Sequence, residues 1–360
     1  MPRVCGDAKV MDSLLIIDIG TGTQDILIHR RNEPIERSPK LVLPSPTVVK
    51  AGQITQARKD DLPIVLEGFC MGGGPIVRAV REHLMAGLEV YATEKAALTI
   101  HDSAERVKGM GVKITAGPVP DNAVRIRTSD YMGGELRGVC EQFGIPYPDA
   151  AAFAVQDHGF SPGRSNRIVR FELIRNQLEK GDWSVYALAP DPPRTEMSRM
   201  HALREQVPGV LVIDTGPAAV IGMLCDPWVQ AEAEEGITLV NAGNGHTLCF
   251  TLKGERVHGV FEHHTFGLTP QTLGIYIDKL RNGTLTSTEI FESGGHGAVV
   301  REPMASEAIA VTGPNRRLLL PRAYQAAPFG DMMLTGCFGV LRVWHRLRNG
   351  VEIDPTVNID

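Results

Sequence analysis

Two short glycine-rich turns, each between two apolar strands, most constrain what this chain can fold into. The first lies in LLIIDIGTGTQDILIHR (14–30) and the second in TLVNAGNGHTLCFTLKG (238–254). In both, an apolar run ends at a polar residue, glycines follow, and a second apolar segment begins, which predicts a β-hairpin. Neither turn has the third glycine and following helix of a dinucleotide-binding loop, and no G-x-x-x-x-G-K-[ST] motif occurs. We therefore expect two related hairpins rather than a Rossmann or P-loop site.

The first turn has the composition of a phosphate cradle. Gly20 and Gly22 let backbone N–H groups approach a ligand, and Thr21 and Thr23 add hydroxyl groups. Asp18, at the end of the strand, supplies a carboxylate suited to Mg²⁺, which prefers oxygen ligands and keeps part of its water shell. The alternative is a plain hairpin, in which the glycines only provide positive φ and the aspartate is a turn former.

The second turn repeats this pattern with an asparagine in place of the aspartate. A lone Gly-Asn-Gly turn is usually only a turn, but two hairpins from duplicated domains could hold a β/γ-phosphate group from both sides. The ligand contacts predicted here come from Asn241, Gly243, Asn244, Gly245, His246 and Thr247.

Two further segments carry candidate site residues. In IDTGPAAVIGML (213–224), helix packing explains the small residues but not Asp214 at the end of a strand. In MMLTGCFGVLRVW (332–344), we predict a strand running into Gly336 and Gly339, which would let a flat ring or a ribose lie against the backbone. The alternative for this second segment is an ordinary strand-to-helix turn.

Periodicity predicts the remaining elements coarsely. Segment 62–93 has the pattern of a strand, a triple-glycine turn, a helix from about Pro75 to Gly87 and a second strand. Helices are predicted within 129–144, from about Asn166 and at 270–281, whereas 32–62 is a polar stretch containing prolines. The triple glycine (72–74) is either an anion-binding nest or a tight turn.

Composition excludes several classes of protein. The 360 residues predict two or three domains, and 43% hydrophobic residues, 22% charged residues and a net charge of −5 are typical of an ordinary globular protein without a nucleic-acid-binding tail. The N-terminal segment has no apolar signal region, and no apolar run approaches the roughly 18 residues of a membrane span. We therefore expect a cytoplasmic protein that binds neither membrane nor nucleic acid.

The six cysteines are scattered, with no C-x-x-C pair. This spacing predicts reduced, mostly buried thiols and excludes an iron–sulfur cluster held by a local cysteine motif.

The order of the four segments resembles the superfamily of actin, hexokinase-type sugar kinases and heat-shock chaperone ATPases. A first phosphate hairpin (18–25), a connecting helix (215–224), a second hairpin (241–248) and an adenosine turn (334–339) follow one another. The resemblance implies an α/β fold of two RNase-H-like, actin-like ATPase domains with mixed sheets flanked by helices and ATP–Mg²⁺ in the cleft between them. The expected division is a first domain with insertions at 13–208, the connecting helix and second domain at 209–348, and a tail at 349–360.

More narrowly, GFCMGGGP, QDHGFSPGRSNR, NAGNGHT, FEHHT and GGHG resemble an uncharacterised prokaryotic family that carries the label of a pyruvate formate-lyase activating enzyme. Because a radical-generating activase needs a three-cysteine iron–sulfur motif, the cysteine spacing excludes that chemistry here.

The resemblance implies a Mg²⁺-dependent ATPase or phosphotransferase. Asp18 would hold Mg²⁺ through water, residues 20–23 and 243–247 would bind the phosphates, and Asp214 would orient the nucleophile or accept its proton. The nucleophile is either water, with domain motion acting on a partner enzyme, or a group on a small-molecule acceptor. Because Asn241 replaces the superfamily's usual aspartate, a non-hydrolysing nucleotide-binding or scaffold protein is an alternative. A polyphosphate or nucleotide phosphatase on the same fold is another.

Histidines and arginines in polar segments form a separate set of candidates. A neutral imidazole is a common transition-metal ligand, and a histidine in a phosphate loop could instead donate to a phosphate oxygen. Within Glu262-His263-His264, neighbouring strand residues point to opposite faces, so at most two can share a site. Arg164, Arg167 and Arg170 either meet an acidic substrate or form a solvated helix face. The loop histidines are His158, His246, His263, His264 and His296.

Overall fold

The computed structural model describes residues 13–31 and 33–349. Within this part of the chain the strands form three sheets. Their bounds are β1 (Ser13–Ile19), β2 (Thr23–Arg30), β3 (Lys40–Pro44), β4 (Ile64–Gly68), β5 (Val90–Ala92), β6 (Lys113–Ile114), β7 (Val124–Thr128), β8 (Ala150–Val155), β9 (Leu211–Ile213), β10 (Ile237–Ala242), β11 (His246–Lys253), β12 (Arg256–His264), β13 (Gly297–Val300), β14 (Ile309–Thr312) and β15 (Tyr324–Gln325).

Helices cover the faces of these sheets. Among the described residues, none of them has both the length and the unbroken apolar run that crossing a bilayer requires. Their bounds are α1 (Pro46–Lys59), α2 (Gly74–Met85), α3 (Glu94–Ala97), α4 (Ala104–Gly109), α5 (Gly133–Gln142), α6 (Asn166–Lys180), α7 (Ser198–Gln206), α8 (Thr215–Met223), α9 (Pro227–Glu235), α10 (Pro270–Arg281), α11 (Ser287–Glu292), α12 (Arg316–Leu319) and α13 (Thr335–Asn349).

The first sheet is mixed and buried on both faces. Its strand order is β3-β2-β1-β8-β9, with β1 antiparallel to β2 and parallel to β8. Alternate residues of β1 enter opposite cores, Leu14 and Ile16 on one face and Leu15 and Ile17 on the other. This is why the strand is a continuous apolar run rather than an alternating one.

The second sheet repeats this order. It runs β13-β12-β11-β10-β14-β15, with β10 to β12 antiparallel and β14 and β15 added parallel to β10. Apart from the extra edge strand β13, three antiparallel strands and two parallel ones follow the sequence of the first sheet. The predicted fold class, two related α/β units with mixed sheets flanked by helices, is confirmed, and so are both glycine hairpins.

A third, fully parallel sheet of order β6-β5-β4-β7 is inserted between β3 and β8 and has its own apolar core. The predicted strand, helix and strand at 62–93 correspond to β4, α2 and β5. The apolar pattern did not predict α1, because only five of its fourteen residues are buried and two of these, Thr47 and Lys50, are polar. The polar, proline-containing stretch at 32–62 therefore includes a helix.

Two contacts cross the expected boundary between the two domains. Strand β9 pairs with β8, so the first sheet extends to Ile213, beyond the expected boundary at 208/209. Helix α13 packs on α8 and also on β1, β2 and β8 of the first sheet. The two-domain division stays a prediction, and the expected tail lies outside the described residues from position 350 onward.

The crossing of α8 and α13 uses the glycines predicted to contact adenosine. No strand forms at 331–334, and both Gly336 and Gly339 lie inside α13. A Cβ at Gly339 would overlap the Ala218 carbonyl of α8, and one at Gly336 would overlap the Asp18 carboxylate. The predicted strand is wrong, and close packing with α8 and β1 accounts for both glycines without a ribose or ring.

We predict that Gly339→Ala lowers the free energy of unfolding by about 2 kcal/mol or more, because the added methyl group forces α8 and α13 apart. Gly52→Ala is the matched control, since Gly52 lies in α1 with nothing within 4 Å of the position that a methyl group would take, and we expect it to raise stability by about 0.5–1 kcal/mol. Urea unfolding of both variants measures this. Equal stability of the two variants would contradict the tight crossing.

Candidate functional site

Both glycine turns face one cavity of about 610 Å³, within the usual range for a small-molecule site. The triple-glycine turn before α2 and the loop after β8 complete its wall. The residues of these four segments that line the cavity are Gly20 and Thr21, Asn241 and Gly243 to His246, Gly72 to Gly74, and Gln156 to Gly159.

The tips of the two hairpins touch each other. A Cβ on Gly22 would lie 2.8 Å from Nδ2 of Asn244, and one on Gly245 would lie 2.9 Å from Oγ1 of Thr21. Each turn therefore places a glycine against a polar side chain of the other. Thr23 and Thr247 of the predicted set lie in the return strands, Thr23 as the first residue of β2 and Thr247 as the second residue of β11. Thr247 is buried, and its hydroxyl lies 3.0 Å from that of Thr265.

The turns expose amides rather than carbonyls to a ligand. The first glycine of each turn closes it with a hydrogen bond, 2.9 Å long in the first and 3.0 Å in the second. Ser45 donates to two carbonyl groups of the first turn at 3.0 and 2.9 Å. Thr265 donates to Gly243 and Gly245 of the second turn at 2.8 and 3.0 Å. Within residues 13–31 and 33–349, four turn amides donate to no acceptor, those of Thr21, Gly22, Asn244 and Gly245.

Asp18 lies behind the first turn and is not part of the cavity wall. The hydroxyl of Thr215 donates to its Oδ1 at 2.5 Å. Burial raises the pKa of Asp18 to about 7, and the nearby Asp214 carboxylate adds to the rise. Asp25 pairs directly opposite it in the hairpin, and burial together with the Asp18 carboxyl raises the pKa of Asp25 to about 8. Two carboxyl groups thus share a poorly solvated position at the base of the turn.

Asp214 is engaged by other groups. Its Oδ1 accepts the Gly216 amide at 3.1 Å and so caps α8. Arg170 holds the same carboxylate with two hydrogen bonds of 2.6 and 3.0 Å. These contacts use three of the roughly four acceptor positions of the carboxylate. The geometry therefore gives no support to the predicted role of Asp214 as a base.

Arg170 connects elements of both mixed sheets. It is 3% exposed, and besides Asp214 it contacts Glu262 of β12 at 2.7 Å and the Asp157 carbonyl at 2.8 Å. The other two candidate arginines differ, since Arg164 lies in the loop before α6 and forms an exposed pair with Glu172, whereas Arg167 on α6 donates to the Gly295 carbonyl at 2.6 Å. Arg164 is solvated but lies outside the helix, and Arg170 contacts carboxylates of the protein itself.

Arg199 anchors the inserted sheet beside the cavity. It forms two hydrogen bonds with Asp130, 2.6 and 2.8 Å long, and a third with the Gln156 carbonyl at 2.8 Å. Asp130 also accepts the amide of Gly72 at 3.3 Å. Sequence reasoning missed this pair, because neither residue lies in a motif and the two are far apart along the chain.

The register of the second sheet separates the adjacent histidines. Glu262 and His264 share one face of β12, and His246 of β11 lies directly opposite His264. His263 points to the other face, where its Nε2 lies 3.2 Å from the Ser293 carbonyl. As the alternation predicted, two of the three adjacent residues face the cavity.

Two further histidines join this face. His158, after β8, and His296, before β13, have ring centroids 5.1 Å apart, and the centroid of His246 lies 5.7 and 4.8 Å from them. Burial lowers the pKa of His246 to about 4 and lowers the pKa values of His158 and His296 well below that of a free imidazole, so all three rings are neutral at pH 7. The cavity thus has a floor of uncharged imidazoles.

Comparison with known proteins identifies one family. A family model described as "Putative pyruvate format-lyase activating enzyme (DUF1786)" matches residues 71–318, more than half of the chain. No curated protein matches the sequence.

Solved structures give only remote likenesses. An ethanolamine utilization protein EutJ from Carboxydothermus hydrogenoformans is 12% identical with a TM-score of 0.28, covering 91% of this chain and 88% of its own. A Bacteroides thetaiotaomicron protein with an actin-like ATPase fold and unknown function is 7% identical with a TM-score of 0.31, covering 89% and 90%. An Aquifex aeolicus PPX-GPPA enzyme is 11% identical with a TM-score of 0.24, covering 85% and 69%.

The raised pKa of Asp25 makes the stability of the protein depend on pH. Because folding raises the pKa of Asp25 from 3.8 to about 8, the folded protein holds more protons than the unfolded chain between about pH 4 and pH 8. The contribution of Asp25 to the free energy of unfolding therefore falls as the pH rises through this window, whereas the buried histidines with lowered pKa values contribute with the opposite sign below about pH 6.5. From pH 5 to pH 8, we expect the change in the free energy of unfolding of Asp25→Asn to be more positive than that of the wild type by on the order of 2 kcal/mol. Urea unfolding at both pH values measures this difference, and exposed Asp121→Asn should behave as the wild type does.

A second prediction concerns α6. Arg170→Ala should lower the free energy of unfolding by about 3–5 kcal/mol, because it leaves two buried carboxylates without their partner. The control is Arg164→Ala in the loop just before α6, whose exposed ion pair with Glu172 contributes at most about 1 kcal/mol. Similar losses in the two variants, measured by urea unfolding, would contradict the bridging role of Arg170.

Proposed function

The chain belongs to the family whose model it matches, and for this member we propose that the cavity between the two glycine hairpins binds the phosphate groups of a nucleotide or polyphosphate. The observation that carries this proposal is the meeting of the two turns at one cavity with four unused backbone amides. Phosphate oxygens are matched by such convergent N–H groups, since a turn with successive free amides forms an anion-binding concavity. ATP is the first ligand to test.

The residues fit the phosphate part of ATP better than the adenosine part. Gly336 and Gly339 are occupied by helix packing, so the base and ribose would need other contacts along the cavity wall. Asp18 stands behind the first turn, and a Mg²⁺ ion would reach it through bridging water, which suits that ion's retained hydration shell. The proposal therefore concerns a phosphate chain rather than a particular nucleoside.

Two features favour binding over rapid hydrolysis. Asn241 offers no carboxylate in the second turn, and the Asp214 carboxylate is held by Arg170 and the Gly216 amide. A phosphotransferase or ATPase needs a group that orients the nucleophile and accepts its proton; an asparagine amide does not act as a base, and most acceptor positions of Asp214 are taken. We accordingly propose a nucleotide-binding protein with slow turnover. Which group accepts the phosphoryl group, water or a small molecule, is a separate matter from binding.

The test is a thermal-unfolding shift with ATP, ADP, tripolyphosphate and adenosine, each with and without Mg²⁺. A ligand at 100 times its Kd adds about 2.7 kcal/mol to stability. We expect ATP and tripolyphosphate to stabilise the protein and adenosine not to. Release of inorganic phosphate from ATP, measured in parallel, separates binding from turnover.

Two matched glycine variants test whether the phosphate compounds bind at the two turns. Gly245→Ala places a methyl group between the turns and should weaken phosphate binding about 10- to 100-fold, the equivalent of one charged hydrogen bond. Gly274→Ala, on α10 with nothing within 4 Å of the added methyl, should bind as the wild type does. The proposal fails if no phosphate compound shifts the unfolding midpoint, or if both variants bind equally well.

A further inference from the structure

We propose that His158, His246, Glu262 and His296 form a binding site for one divalent transition-metal ion of the zinc class. One ligand atom from each of these four side chains lies within 4.8 Å of those of the other three. The site is separate from the hairpin amides, although His246 ends the second turn and is close to both.

The fold brings these four residues together from four separate segments. His246 begins β11 and Glu262 lies near the end of β12, on the same face of the second sheet. The backbone amide of His296 donates to the Glu262 carbonyl at 2.8 Å, which holds that loop beside β12. His158 comes from the loop after β8 of the first sheet. The site therefore joins the two mixed sheets.

Neighbouring groups hold the ligands in fixed orientations. Asp157 accepts the amides of Arg199 and Met200 at 2.9 and 3.0 Å and that of Gly159 at 2.9 Å, which fixes the loop that carries His158. Arg170 donates to Oε2 of Glu262, and the Gln156 amide donates to Oε1 at 2.6 Å. These two contacts fix the carboxylate with Oε1 on the side of the imidazoles, 3.6 Å from Nδ1 of His296. Buried outer groups of this kind are a regular feature of metal sites.

His264 orients the ring of His296 from its other side. Nε2 of His264 lies 3.4 Å from Nε2 of His296, and Nδ1 of His264 donates to the Gly294 carbonyl at 2.8 Å. With its proton on Nδ1, the neutral ring of His264 accepts at Nε2, so Nε2 of His296 is the donor between the two rings. Nδ1 of His296 then keeps the lone pair that can bind an ion.

The buried ring of His296 gives a second observation that points to a bound ion. It is 1% exposed, its Nδ1 has no hydrogen-bond partner within the described residues, and this atom lies 3.6 Å from Oε1 of Glu262. A buried polar atom without a partner is costly. An ion between the imidazoles and the carboxylate would remove that cost.

The donor set selects the class of ion. Imidazole nitrogens with one carboxylate suit Zn²⁺, Fe²⁺, Ni²⁺ or Cu²⁺, whereas Mg²⁺ prefers an all-oxygen shell. Because three of the four residues line the cavity, a position on the ion would remain open to an oxygen atom of a bound molecule. The expected ligand class is an anionic oxygen donor.

The experiment titrates Zn²⁺ and, as a spectroscopic probe, Co²⁺ into chelator-treated protein without nucleotide or phosphate. We expect about one equivalent per chain, visible Co²⁺ absorption that Zn²⁺ abolishes and Mg²⁺ does not, and a higher unfolding midpoint with metal. His296→Ala and His246→Ala should each weaken binding by about 100-fold or more, since even outer-group changes cost 10- to 100-fold.

His101→Ala is the matched control, because His101 lines the same cavity but is not one of the four residues. It should bind Co²⁺ as the wild type does. His246 is only half-buried, so its variant decides the outcome if His296→Ala does not fold. The proposal is overturned if the folded wild type takes up no stoichiometric metal, or if His246→Ala binds as tightly as His101→Ala. With no phosphate present, this result is independent of the phosphate proposal.

Discussion

The buried guanidinium of Arg170 is the interaction on which the cleft depends. It holds Asp214 at the start of α8 and Glu262 on β12, and all three charges are almost fully removed from water. Charges in such surroundings are tolerated only when they are paired and hydrogen-bonded, and the loss of one leaves the others uncompensated. Arg170 of α6 therefore allows the two mixed sheets to pack together with both carboxylates buried, because it lies between them and pairs with each.

The pairing of Arg170 also determines which groups of the cavity remain free to bind a ligand. Because Arg170 and Arg199 are committed to Asp214, Glu262 and Asp130, the arginines at the cavity wall are not free to bind a ligand as bare cations. The groups that remain are backbone amides from the two turns and neutral imidazoles below them. Amides match anionic oxygen and imidazoles match a transition-metal ion, so the two proposed sites are chemically complementary and adjacent.

Local pattern predicted much of this architecture. Both hairpins, the helix after Asp214 and helix α10 follow from apolar periodicity and from caps and turns that act over a few residues. The separation of His263 from its neighbours follows from strand alternation alone. The apolar pattern failed at α1, whose buried stripe includes the polar residues Thr47 and Lys50. It also failed at Gly336 and Gly339, where a ligand contact and close helix packing cannot be distinguished without the neighbouring helix.

The sequence by itself determined the two turns and their order, because hydrogen bonds and side-chain alternation within a hairpin involve residues close along the chain. The fold class followed from the resemblance of that order to a known superfamily. Only the tertiary structure decided which polar residues share a site. Arg170 lies 44 residues from Asp214 and 92 from Glu262, and His264 lies 32 from His296. No short-range pattern encodes such pairs, since they form when two separately specified sheets pack and bury the same set of charges and imidazoles.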